Sequence, residues 1–176
     1  MPAVIAASAV PTIPAAIKES VHPTTTPQAG DATPSTIEID LSALFVADES
    51  ARQSAIASLI ATLAQQPKTD PAVLESIGFS RVVIQALADK KSPAAREGAA
   101  QAVSGLVKSG HVQLLEPTFI ESGLCATLIK AFADKMPAVR TAALDAVREY
   151  ASAMNPWATA LIMPTLLREI KFAGKW

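Results

Sequence analysis

Two stretches of this chain carry the same alternation of apolar and polar positions. Through residues 137–154, Val139, Ala143, Ala146, Val147, Tyr150 and Met154 fall on one face of a 3.6-residue period, and Thr141, Asp145, Arg148 and Ser152 fall opposite. Residues 93–108 repeat that face with Ala95, Ala99, Ala102, Val103 and Leu106. The turns before the two faces also match: after a one-residue gap Pro93 meets Pro137, and Arg96 meets Arg140, 44 residues on. Another 44 residues back stands Arg52, with Ala51, Ala55 and Leu59 where Ala95, Ala99 and Val103 stand. Three arginines share one register, and the pattern predicts an amphipathic helix carrying each of them.

A period in the forties on an alanine- and leucine-rich helical background points to HEAT or armadillo units, helix pairs that cannot bury their apolar faces alone. The expected fold is therefore all-α, a helical-repeat solenoid of about three and a half helix pairs. Asp89 and Asp134 end one helical pattern, and Pro93 and Pro137 open the next, where a missing backbone N–H costs nothing. The many alanines let neighbouring helices approach closely. The recurring acid and base predict a structural ladder along one edge, with Asp89, Arg96, Asp134 and Arg140 pairing within and between adjacent units.

Around this repeat the chain divides in order. Residues 1–36 carry Pro2, Pro11, Pro14, Pro23, Pro27 and Pro34 with a threonine run between, so no helix long enough to bury a face fits there, and a disordered tail is expected. The first unit, residues 37–66, places Ile39, Leu41, Leu44, Phe45 and Val46 on a short first helix and residues 50–65 on its partner. The second, 70–109, opens with Val73 to Leu87, bent near Gly78, and stops at Ser109-Gly110. The third, 112–154, runs its first helix from Val112 to about Asp134. Asn155-Pro156 opens a partial fourth, 155–176, in which residues 161–167 match residues 114–120 at an offset of 47. Trp157, Leu161, Leu166 and Ile170 are then expected to lack the helix that would cover them, as in the front piece of a longer array.

Composition adds few constraints. The chain has 176 residues and a net charge of −1, with 5% aromatic residues, and no apolar run reaches the 18 or so needed to span a membrane. One cysteine supplies neither a disulfide framework nor a zinc set, in keeping with a reducing, cytoplasmic location. No G-x-x-x-x-G-K-(S/T) loop occurs, so no nucleotide site and no enzyme activity are expected of this chain. His22 and His111 read as solvated residues of the tail and an inter-unit loop, and Cys125 as a small buried apolar residue. Trp157 reads as a packing residue between units. The pairs Glu116 with Glu121 and Asp145 with Glu149 read as solvated helix faces. From Lys130 onward seven basic residues stand against four acidic ones, a mild basic surplus.

The passage from Ala153 through Asn155-Pro156-Trp157 and Leu161-Ile162-Met163-Pro164 to Leu167, closed by Lys175-Trp176, resembles the HEAT region at the start of fungal-type translation elongation factor 3. The resemblance covers roughly residues 73–176. It implies a ribosome-binding arm of an ATP-driven factor that releases deacylated tRNA from the exit site. The ATP would be bound in cassettes elsewhere, and no catalytic residue or cofactor carries over to this chain. The implied partner is the ribosome, through rRNA or ribosomal proteins, with Lys130, Lys135, Arg148, Arg168, Lys171 and Lys175 as candidate contacts. Neither a membrane nor DNA is implied. A general HEAT-repeat protein-interaction scaffold, including a ribosome-associated translational-control scaffold, is the alternative.

Overall fold

The computed structural model describes residues 39–66 and 70–173, with side chains as far as Arg168. The tail expected over residues 1–36 lies outside the described residues. Among these residues the chain forms eight α-helices and two short 3-10 helices: a 3-10 helix Leu41–Phe45, α1 Glu49–Leu63, α2 Ala72–Ser76, α3 Phe79–Leu87, α4 Pro93–Lys108, α5 Val112–Glu121, α6 Leu124–Ala131, α7 Pro137–Ala153, a 3-10 helix Pro156–Ala158 and α8 Thr159–Ala173. No strand occurs among them.

The helices stack in two layers. One holds the first 3-10 helix, α2 with α3, α5 with α6, and α8; the other holds α1, α4 and α7, with α4 against α7 the most extensive contact. In the second layer α1 packs on the first 3-10 helix, α4 on α3 and α7 on α6, while α1 touches α4 and α4 touches α7. Between the layers lies one core of aliphatic residues, including Leu44, Leu59, Leu63, Leu74, Leu106 and Leu128. This is a HEAT-type solenoid, and α4 and α7 begin at Pro93 and Pro137 as the repeated turns predict.

The local chemistry explains the boundaries. Asp40, Asp48 and Ser92 cap helix starts by accepting from the backbone N–H groups of Ser42, Ala51 and Ala95. Gly78 and Gly123 take positive φ, 67° and 84°, a conformation that costs other residues their Cβ clearance. The bend expected at Gly78 is thus a full break between α2 and α3. The single first helix expected in the third unit is likewise two, because Gly123 makes the same break. In the first unit the short first helix is a single 3-10 segment of five residues, too brief for an α-helical turn to propagate.

Close approach in the second layer rests on two glycines. A Cβ on Gly98 would lie 2.0 Å from the Leu44 carbonyl oxygen and 2.9 Å from Arg52 Cδ. A Cβ on Gly105, two turns later, would lie 2.7 Å from Ile56 Cγ2. The bare glycine at 98 admits both the end of the first 3-10 helix and the arginine stem against α4.

Candidate functional site

The three register arginines hold the edge where each unit turns from its first layer to its second. Arg52 is only 3% exposed. Its Nη1 donates to the carbonyls of Val46 and Ala47 at 3.0 Å in its own turn, while Nε donates to Gln101 at 3.3 Å and Nη2 pairs with Glu97 at 3.2 Å on α4. Arg96 repeats the arrangement one unit on. Its Nη1 donates to the Asp89 carbonyl at 2.6 Å, and Nε and Nη2 grip the two carboxylate oxygens of Asp134 at 2.7 and 3.1 Å. Both side chains of that pair are 12% exposed. The guanidinium holds the Asp134 carboxyl below the usual carboxylate range, chiefly by its hydrogen bonds, against an opposing effect of burial.

Arg52 and Arg96 therefore each tie their own turn to the next unit, and the donor recurs while the acceptor changes. Arg96 and Asp134 are brought together as a rung. Asp89 enters the ladder through its main-chain carbonyl, since its carboxylate instead caps its own turn by accepting from Lys91 N–H at 2.7 Å. Arg140 departs from the expected carboxylate pairing. It is exposed, and its Nη1 donates to the carbonyls of Asp134 and Lys135 at 2.7 and 3.2 Å. The acceptors Glu97 and Gln101 for Arg52 escape sequence reasoning, because neither repeats at the corresponding places of the third unit, Thr141 and Asp145.

The candidate basic residues come from several elements. Lys130 and Lys135 lie at the end of α6 and in the turn after it, Arg148 lies on α7 with its guanidinium 3.5 Å from Asp145, and Arg168 lies on α8; all four are exposed. The side chains of Lys171 and Lys175 lie outside those described. Two lysines absent from that expectation, Lys90 and Lys91, occupy the turn equivalent to that of Lys135. Met136 N–H donates to Asp134 Oδ1 at 2.9 Å, as Lys91 N–H does to Asp89, so Lys90 and Lys135 hold the same position of one repeated turn.

Other expectations sort clearly. His111 is buried at the N-terminal end of α5, not solvated, because Gly110 at φ 80° turns the chain back on the end of α4, where His111 N–H donates to the Leu106 carbonyl at 3.0 Å. Cys125 is buried as expected. Trp157 is 86% exposed and packs between no units; it stands on the short 3-10 helix that opens the fourth unit, with Leu161 and Leu167 also exposed on α8. A groove of about 420 Å³ runs along the second layer, with Gln53, Glu97, Gln101, Lys108 and Asp145 on its walls. No group of three or more His, Cys, Asp or Glu side chains among the described residues is placed to hold a metal ion. No helix among them is long and apolar enough to cross a membrane.

Residues 48–176 match the family described as EF3 N-terminal HEAT repeat. The chain is 35% identical over 106 residues to "Elongation factor 3" of Mycosarcoma maydis, a stretch covering 60% of this chain and 10% of that protein. It is 34% identical over 90 residues to "Elongation factor 3" of Gonapodya prolifera (strain JEL478), covering 51% of this chain and 8% of that protein. It thus spans about a tenth of the length of these curated relatives. No solved structure gives a significant match.

Proposed function

Since the chain belongs to the family of elongation factor 3 N-terminal HEAT repeats, we propose that it is a ribosome-binding segment of an elongation factor 3-like protein and acts in the cytoplasm. The observation that carries this reading is the family match over residues 48–176, from α1 onward. A stack of helix pairs offers an extended, rigid surface suited to a large partner. The chain itself works as a binding arm without turnover or cofactor, and any ATP-driven step belongs to sequence outside it.

Co-sedimentation of the 176-residue chain with ribosomes, at low and moderate salt, tests the proposal. The chain should pellet with ribosomes at low salt and partly dissociate as salt rises, since contacts to phosphate weaken with ionic strength. A chain that stays in the supernatant at both salts refutes the ribosome reading and leaves a general protein-interaction scaffold.

A further inference from the structure

Outside the groove, one edge of the described surface carries an excess of basic side chains. The turns at residues 89–92 and 134–136 are built alike, each closed by an aspartate that accepts from the backbone N–H two residues on, at 2.7 Å from Lys91 and 2.9 Å from Met136. Arg96 binds both turns at once, through the Asp89 carbonyl and the Asp134 carboxylate, so the two turns abut along one edge of the stack. Of the acidic side chains of this edge, that of Asp134 is paired with Arg96, while that of Asp89 accepts from its own turn and keeps its charge. The groups that face solvent nevertheless carry a basic excess. Lys90, Lys91, Lys135 and Arg140 are all exposed, and none is in an ion pair among the described residues. Main-chain carbonyls fix Arg140 through Nη1 alone, which leaves Nε and Nη2 to a further acceptor.

Farther along the second-layer helices the basic residues differ. Lys108 pairs with Glu149 at 3.8 Å and Arg148 with Asp145 at 3.5 Å, so these two meet acids of the same chain. The net charge of −1 conceals this asymmetry.

We propose that the edge formed by these two turns contacts the phosphodiester backbone of RNA through Lys90, Lys91, Lys135 and Arg140. The proposal rests on the ribosome reading for its choice of polyanion. The edge itself favours RNA over an acidic protein. Protein interfaces are depleted in lysine and anchored by large apolar side chains, and the only large apolar side chain exposed within these turns is Met136. Mobile ammonium groups suit phosphates, which fix register without reading sequence. Four cations make a weak, salt-sensitive contact, with a dissociation constant of about 10⁻⁴–10⁻⁶ M as for non-specific nucleic-acid binding.

The test uses the whole chain and a labelled RNA duplex of about 20 base pairs, titrated across several salt concentrations. The triple variant Lys90→Glu, Lys91→Glu, Lys135→Glu is compared with Arg148→Glu, Arg168→Glu, and thermal melts verify that each folds. The triple variant should lose at least about tenfold in affinity, and its log K against log salt slope should fall by about 2–3, one for each phosphate contact removed. The control pair should lose less than about a third of that effect on a logarithmic scale. Equal affinity and slope for wild type and triple variant overturn the proposal, as does failure of the wild type to bind the duplex at low salt. A poly-glutamate peptide that binds the edge more tightly than the duplex also overturns it, in favour of an acidic protein surface. Ribosome co-sedimentation of the same variants separates the two readings. Pelleting unaffected by the triple variant leaves the ribosome reading standing and removes this edge from it. RNA binding lost in the triple variant, with no pelleting of the wild type, supports the edge and refutes the ribosome reading alone.

Discussion

Replacing Arg96 with alanine removes the donor of the rung between the second and third units. The carboxylate of Asp134 is then left 12% exposed without its counter-charge, and the Asp89 carbonyl loses a donor. Exposed ion pairs contribute about 0.2–1 kcal/mol, whereas breaking a fully buried pair costs about 3–5 kcal/mol. Two donors to one carboxylate, both side chains nearly buried, place Arg96→Ala between these limits, at about 2–3 kcal/mol. Asp134→Asn keeps an acceptor for Met136 N–H and loses only the charge, so about 1–2 kcal/mol is expected. The double-mutant cycle should return a coupling of about 1–2 kcal/mol from urea unfolding followed by circular dichroism. Acid supplies an independent axis. Because the folded pKa of Asp134 is lowered, the unfolded chain binds the proton more readily. The stability this group contributes is fully present above the unfolded value of about 3.9 and is lost as pH falls through the folded one. The gap between wild type and Asp134→Asn should therefore narrow from pH 5 downward. A coupling below about 0.3 kcal/mol, or a gap that does not change with acid, would refute the claim that the rung holds the units together.

Two further expectations concern packing. Gly98→Ala should destabilise the chain by about 1–2 kcal/mol despite alanine's helix propensity, since the new methyl meets the Leu44 backbone oxygen; a variant of unchanged or higher midpoint in the same urea titration contradicts this. Tyr150 stacks on Phe119 with centroids 3.6 Å apart, and its buried hydroxyl finds no hydrogen-bond partner. Tyr150→Phe should therefore raise stability by about 1 kcal/mol, and a loss of that size in a thermal melt would mean that the hydroxyl is satisfied.

The repeat made the second layer legible. Prolines at the first position of a helix and small residues at a 3.6-residue period depend on local geometry alone, so α4 and α7 could be bounded from the sequence. The first layer is less readable, because a glycine in a helical pattern does not announce a positive φ: the sequence suggests a bend at Gly78 and nothing at Gly123, and both are full breaks. Arg52, Arg96 and Arg140 were found as a register, yet their burial differs with what lies beyond each. The acceptor belongs to the neighbouring unit, where nothing requires it to recur at a fixed offset. Lys90 and Lys91 escaped for a related reason. Counting charges along the chain hides which acids are already engaged, and only the folded turns show Asp134 paired with Arg96 and Asp89 turned onto its own backbone. Trp157 carries two opposed expectations, and its exposure sides with the partial fourth unit, which leaves it uncovered, against the packing role that an apolar side chain in a repeat ordinarily takes.

The two rungs run one way: Arg52 and Arg96 each reach from their own turn to the unit that follows. Seen as heredity, this makes the boundary between units the natural joint for duplication or exchange. A copied unit carries its donor forward but must land in front of a unit that presents an acid within reach, on the helix as with Glu97 or in the turn as with Asp134. A unit lacking such an acid would strand a buried guanidinium, so the tolerance of the array for rearrangement is set by the recipient and not by the inserted piece. Drift of the acceptor between two positions, with the donor held, is the trace that such a history would leave.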